Sequence, residues 1–198
     1  INGANLADGF NGLLTIHLLI INLILFFINL NNGHQDLLLF ITAQIVVLIC
    51  FLFFNFPKAK IFLGDSGSYL FGSLVAFNVI NTHNLNTEIS SFFFCILLFY
   101  LFFEVFFSFF RKLYLRKSPL KPDSKHLHML LYNFLNKSRK FKDCNYLNSA
   151  IINLIYLCLI LPSIFFHDNG FVCRYWFFSL LVIYMVFYSL LYSFEKKQ

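Results

Sequence analysis

The feature that most constrains this chain is the spacing of its apolar runs. Six stretches, 13–30, 37–56, 66–82, 89–110, 149–166 and 176–194, are dominated by Phe, Leu and Ile. Five of them reach 18 residues or more, close to the about 20 that a helix needs to cross a bilayer core. The third is shorter and carries Gly67 and Gly72, which reads as a tilted or partly buried helix. Composition closes the alternatives: hydrophobic residues make up 59% and charged residues 12% of 198 residues. A soluble domain is about half apolar and a quarter charged, and a disordered chain is poorer still in apolar residues. The expected fold is an all-α polytopic membrane protein of about six transmembrane helices. It forms one integral membrane domain over 1–198, with a basic cytoplasmic loop at 111–148 inside it.

Charge then sets orientation. Lys58 and Lys60 lie between runs two and three, ten Lys or Arg lie between Arg111 and Lys142, and Lys196 and Lys197 close the chain. Those 14 of the 15 basic residues fall on one side of a six-span alternation. By the positive-inside rule that side is the cytoplasm, so the net charge of +6 reads as a topology signal and not as a nucleic-acid surface. Five cysteines without a CxxC pair, three of them inside apolar runs, give neither a disulfide framework nor a zinc site. The chain opens at Ile1, inside a polar Gly-rich motif and with no signal-peptide pattern before the first run. The expectation is the C-terminal part of a longer protein.

The polar residues gather on the cytoplasmic face. The opening segment places Asn2, Asn5, Asp8 and Asn11 three apart, a spacing that shares one face of a helix. The same residues also suit a plain turn and helix start. In Gly64-Asp65-Ser66-Gly67-Ser68, small residues at a helix start let backbone N–H groups reach a phosphate. A carboxylate there would repel the phosphate unless a cation lay between them, which points to Mg²⁺ on Asp65. An Asp/Ser helix cap is the simpler alternative. In the basic loop, His126-Leu127-His128 beside Lys125 suits a multiply charged phosphate, while one HxH is a weak zinc signal. The PxxP at Pro119 and Pro122 is discounted. Glu104 lies inside the fourth run, where a carboxylate is a functional-site hypothesis. Arg111, two turns on with Ser108 between, offers it a structural brace instead.

Together these segments resemble one family, the polytopic transferases that move a sugar phosphate from a UDP-sugar to a polyprenyl phosphate. It includes the phospho-N-acetylmuramoyl-pentapeptide transferases and the undecaprenyl-phosphate N-acetylglucosamine-1-phosphate transferases. The resemblance rests on Asn2, Asn5, Asp8, Gly9, Gly12 and Leu13, on Asn55-Phe56-Pro57 through Ser68, on Glu104 with Arg111-Lys112, and on Pro122-Asp123 with His126-Leu127-His128. It covers most of the chain up to about Tyr132.

The resemblance implies a Mg²⁺-dependent phosphotransferase in the bacterial cytoplasmic (inner) membrane, with its active site on the cytoplasmic face. It would transfer an N-acetylhexosamine-1-phosphate from a UDP-sugar to undecaprenyl phosphate, release UMP, and so start a lipid-linked surface glycan such as O-antigen or another cell-envelope polysaccharide. Its partners would be UDP-N-acetylhexosamine, polyprenyl phosphate and membrane lipid, with a homodimer left open. Asp65 would hold Mg²⁺. Asp8, His126 and His128 would complete the catalytic set, with Asn5, Asn11, Gly64, Ser66 and Lys125 binding substrate. Three departures stand out: Asn11 replaces a frequent Asp, Met129 a frequent His, and Glu104 a usual Asp. The family's acidic pair from an earlier cytoplasmic loop is absent, so this fragment alone is expected to be inactive. A non-catalytic remnant of the scaffold is the competing reading. A transporter, suggested by Glu104, does not explain the HxH loop.

Overall fold

A computed structural model describes residues 1–118, 123–137 and 143–196. Nine α-helices make up the regular structure among these residues: α1 (Asn2–Ala7), α2 (Leu13–Asn31), α3 (Gln35–Asn55), α4 (Gly64–Leu85), α5 (Ser91–Leu97), α6 (Phe99–Tyr114), α7 (Leu127–Lys137), α8 (Cys144–Ile164) and α9 (Gly170–Lys196). Each of the six apolar runs is helical. The PxxP residues Pro119 and Pro122, together with Lys121, Arg139, Lys140, Lys142 and Lys197, lie outside the described residues.

Four helices are long and apolar enough to cross a membrane: α2, α3, α8 and α9. The fourth run differs from a straight span. It breaks at Leu98 into α5 and α6, which meet at a 75° bend, and the pair counts as a fifth candidate only if taken together. Ser90 caps the start of α5 by accepting the Phe92 N–H at 3.2 Å.

The short third run also differs. Its helix, α4, is 22 residues long, so length is not what limits it. Its polar residues are the reason it falls short in apolarity, and two of them, Asn78 and Thr82, face inward. Asn78 Nδ2 donates to Asn22 Oδ1 of α2 and to Gln44 Oε1 of α3, both at 2.9 Å. One turn further on, Asn29 Nδ2 donates to Thr82 Oγ1 at 2.8 Å. Asn22, Asn29, Asn78 and Thr82 are fully buried. In a bilayer, apolar side chains gain little from leaving lipid for a helix interface, so such interhelical hydrogen bonds and close packing hold helices together. The α2–α3–α4 unit is therefore joined by an amide ladder that a hydropathy profile reads only as weakness.

On the other side α1 lies against α4 and α6. Gly3 makes this approach possible: a Cβ there would sit 1.8 Å from the Leu101 carbonyl oxygen. Helix α8 closes the bundle against α2 through Asn153, whose Nδ2 donates to the Leu13 carbonyl at 3.1 Å and whose Oδ1 lies 3.2 Å from His17 Nδ1. His17, given no chemistry from the sequence, is fully buried and packs its ring 3.8 Å from that of Tyr156, centroid to centroid.

Candidate active site

One cluster forms where the end of α1 meets the start of α4. Asn55, at the end of α3, sets the frame. Its Oδ1 accepts the Gly12 N–H at 2.9 Å and the Thr15 hydroxyl at 3.0 Å, and its Nδ2 donates to the Ile61 carbonyl at 2.7 Å. One buried amide thus ties the start of α2 to the 56–63 connection. That connection leads into Gly64, whose φ of +64° is a left-handed conformation that side chains other than glycine adopt at a cost.

The turn at Gly64 points its N–H at Asp8, and Oδ2 accepts it at 2.7 Å. Asn5, one turn earlier on α1, donates from Nδ2 to Asp65 Oδ1 at 3.0 Å. Asn5, Asp8, Gly64 and Asp65 are thereby brought together. Asp65 is exposed, and Asn5 is its one hydrogen-bond donor among the described residues. Burial pushes the Asp8 carboxyl above its usual range; N–H groups of Gly64 and Leu63 oppose this, and the Asp65 charge adds to it. Two carboxylates close enough to feel each other, at the start of a helix, attract cations.

Ser66 is exposed on the first turn of α4 beside this cluster. Asn11 is turned to other work. Its Nδ2 donates to the Pro57 carbonyl at 2.8 Å, and its N–H to Asn145 Oδ1 of α8 at 2.7 Å. An asparagine where a second acid was expected thus braces the 56–63 connection against α8.

A second cluster surrounds the HxH pair, and it is buried. His126 precedes α7 and His128 lies in its first turn, 7% and 2% exposed. Their rings are nearly parallel, at 8°, with centroids 5.5 Å apart. Glu104, 2% exposed, organises the group. Its Oε1 accepts from His126 Nδ1 and from the Leu127 N–H, both at 3.0 Å, and its Oε2 accepts the Tyr184 hydroxyl. His128 Nδ1 pairs with the Tyr100 hydroxyl at 3.0 Å, and Phe10 packs edge-on against the ring. Burial lowers the His128 pKa to about 4; Glu104 opposes the shift and His126 adds to it. His128 is therefore a neutral imidazole at pH 7.

This arrangement corrects the expected Glu104–Arg111 brace. Arg111 pairs instead with Asp123 and with Ser108 Oγ. The seven-residue spacing does place Glu104 and Arg111 on one face, but the returning 123–127 segment brings each a nearer partner. The basic 111–148 segment contains α7. Lys125, expected on substrate, gives its Nζ to Glu195 Oε2 at 2.6 Å. It lines a cavity of about 510 Å³ together with Arg111, Arg116, Lys117 and Tyr192. Sequence reasoning missed Tyr100 and Tyr184. Their one signal is a hydroxyl inside a Phe-rich face.

No group of three or more His, Cys, Asp or Glu side chains that could hold a metal occurs among the described residues. Mg²⁺ does not need one: it is usually held by one or two carboxylates, with phosphate oxygens and water completing the shell. The exposed Asp65 carboxylate, with Asp8 beside it, fits that donor set.

Comparison with known proteins finds similarity to transferases. Residues 1–83 match the family model described as Glycosyl transferase family 4. The chain is 31% identical over 160 residues to the undecaprenyl-phosphate alpha-N-acetylglucosaminyl 1-phosphate transferase of Thermotoga maritima, covering 71% of this chain and 49% of that protein. It is 43% identical over 79 residues to the phospho-N-acetylmuramoyl-pentapeptide-transferase of Leuconostoc mesenteroides, covering 40% of this chain and 25% of the relative. The corresponding enzyme of Clostridium perfringens is 40% identical over 75 residues, 38% of this chain and 24% of its own length. The chain thus spans about half the length of the first relative and about a quarter of the other two. No solved structure matches.

Proposed function

Because the chain belongs to glycosyl transferase family 4, we propose that it is part of an enzyme that transfers an N-acetylhexosamine-1-phosphate from a UDP-sugar to polyprenyl phosphate. The observation that carries this reading is the joining of Asn5, Asp8, Gly64 and Asp65 into one exposed polar cluster at the start of α4. The curated relatives carry undecaprenyl phosphate and phospho-N-acetylmuramoyl-pentapeptide transferase names, which supports a lipid acceptor and an acetylated amino-sugar donor.

In the reaction, an oxygen of the lipid phosphate forms a bond to the β-phosphorus of the UDP-sugar. The bond from that phosphorus to the α–β bridging oxygen breaks, and its electron pair leaves on UMP. The chain's own residues bind and orient. Asp65 and Asp8 would hold Mg²⁺, with Asn5 fixing the Asp65 carboxylate, and Gly64 turning the backbone so that Asp8 is held beside it. Mg²⁺ bound there supplies neutralisation of the negative charge on the diphosphate oxygens. His126 and His128 would meet the phosphates through Nε2, since Nδ1 of each is committed inside the protein. An apolar cavity of about 470 Å³ between α1, α4 and α6, lined by Val75, Leu101, Phe102, Val105 and Phe106, offers the isoprenoid a place beside the same two helices that carry the carboxylates. The basic residues support a cytoplasmic side for this face of the bundle, where a nucleotide sugar is available. On this reading the product starts a surface glycan.

The test is Mg²⁺-dependent UMP release by the whole protein in membranes, given undecaprenyl phosphate and UDP-N-acetylglucosamine or the UDP-N-acetylmuramoyl-pentapeptide. Release that falls by about 100-fold or more in Asp65→Asn, as loss of a metal ligand predicts, supports the reading. Wild-type release in that variant would reduce Asp65 to a helix cap, and no release from either donor would favour a non-catalytic scaffold.

A further inference from the structure

Resting on the transferase reading, we propose that Glu104 is a positioning residue that holds His126 with its Nδ1–H turned inward, so that Nε2 is the nitrogen offered to the diphosphate. A carboxylate can only accept hydrogen bonds. Its 3.0 Å approach to His126 Nδ1 therefore requires the ring proton on Nδ1, because a bare nitrogen there would face lone pair against lone pair. The carboxylate is itself held. Oε1 also accepts the Leu127 N–H at the start of α7, and Oε2 accepts the Tyr184 hydroxyl from α9. Three donors from two parts of the chain, the 126–127 segment and α9, converge on one side chain of α6, so its orientation is over-determined. His126 has just left the 123–126 segment and has no helix of its own to orient it. The neighbouring ring is set differently: His128 is directed by the Tyr100 hydroxyl, a group that can donate or accept. The two histidines of one HxH motif are thus fixed by unlike partners, and only His126 has its tautomer dictated. Orientation of a histidine by a partner on its second nitrogen is the general device by which a ring is presented to its ligand.

Two measurements on the whole protein test this. The first is ¹⁵N NMR of histidine-labelled protein in detergent or nanodiscs, with the His126 signals assigned by their loss in His126→Gln. The expected result is a protonated Nδ1 on His126. A bare Nδ1 would overturn the proposal, and this readout stands whether or not UMP is released.

The second is a double-mutant cycle on kcat/KM for UMP release. Glu104→Gln is expected to lower it about 10- to 100-fold, the loss of one hydrogen bond to a charged group. In a His126→Ala background the same change should cost less than about twofold, because its route of action is already gone. Fully additive losses would show that Glu104 only starts α7, and would overturn the proposal. Should Glu104→Gln fail to fold, Tyr184→Phe takes its place in the cycle, since it releases only Oε2 and leaves the His126 and Leu127 bonds in being. Its smaller loss should likewise vanish in His126→Ala.

Discussion

The Asp8–Asp65 cluster and the Glu104 cluster are each built around carboxylates, and their surroundings give them opposite characters. Around Glu104 both carboxylate oxygens are taken by donors of the protein itself, and the group is 2% exposed. At α4, Asp65 is exposed and has one donor among the described residues, Asn5. A buried carboxylate whose oxygens are all satisfied organises the chain around it. An exposed one with capacity left over, beside a second acid, is suited to an external cation. What separates the two is burial and hydrogen-bond saturation, and neither is a property of the motif.

The sharpest way to break this comparison is to swap the readouts. Glu104→Ala should reduce stability most, by roughly 3–5 kcal/mol, because it leaves buried partners of a charged group without an acceptor. Thermal unfolding in detergent, followed by size-exclusion fluorescence, measures it. Asp65→Asn should change the same transition by no more than about 0.5 kcal/mol, as exposed sites do, while removing UMP release. Equal destabilisation in both variants would erase the distinction.

A smaller effect is expected from Asn78→Leu, which removes the centre of the α2–α3–α4 ladder. Polar contacts between membrane helices are each worth about 0.6 kcal/mol on average and up to about 1.7. A loss of roughly 1–2 kcal/mol in the same assay would confirm the ladder, and no loss would show that α4 is held by apolar packing alone.

The smallest concerns Asp123. Burial raises its pKa, but the Arg111 guanidinium beside it and the Lys125 N–H outweigh that and hold the carboxyl below the usual range. A carboxyl depressed in the folded state gives stability that is present above its unfolded value, about 4, and is lost as pH falls through the folded value. The gap in unfolding temperature between wild type and Asp123→Asn should be constant at pH 5–7 and shrink below about pH 4. Its size should be on the order of 1 kcal/mol or less. A gap that persists at pH 3 would place the effect outside this ion pair.

Much of the molecule was legible before folding was considered. Runs of 18 or more apolar residues have few ways to satisfy their backbone in lipid other than as helices, so the positions of α2, α3, α8 and α9 follow from hydropathy. The three-residue spacing from Asn5 to Asp8 likewise put both on one face, and the fold then set Asp8 against Gly64 and Asn5 against Asp65. The break at Leu98 was not legible, because Phe and Leu continue through it without a Pro or Gly to mark it. The weakness of the third run was legible as a signal but not as a cause. Its buried Asn78 and Thr82 are costly in lipid and are satisfied by amides 53–56 residues earlier in the chain, and by Gln44.

The sequence by itself determined that this chain is helical and membrane-embedded, and which acids, amides and histidines make up its motifs. These are consequences of composition and short-range spacing, which act within a turn or two of helix. Only the tertiary structure decided which of them meet. Glu104 could have turned to Arg111 on its own helix, yet it holds His126, Leu127 and Tyr184. Asn11 could have faced the carboxylates, yet it braces Pro57 and Asn145. A buried polar group must take whichever partners the packing brings within about 3 Å, and those partners lie 22 to 134 residues away along the chain.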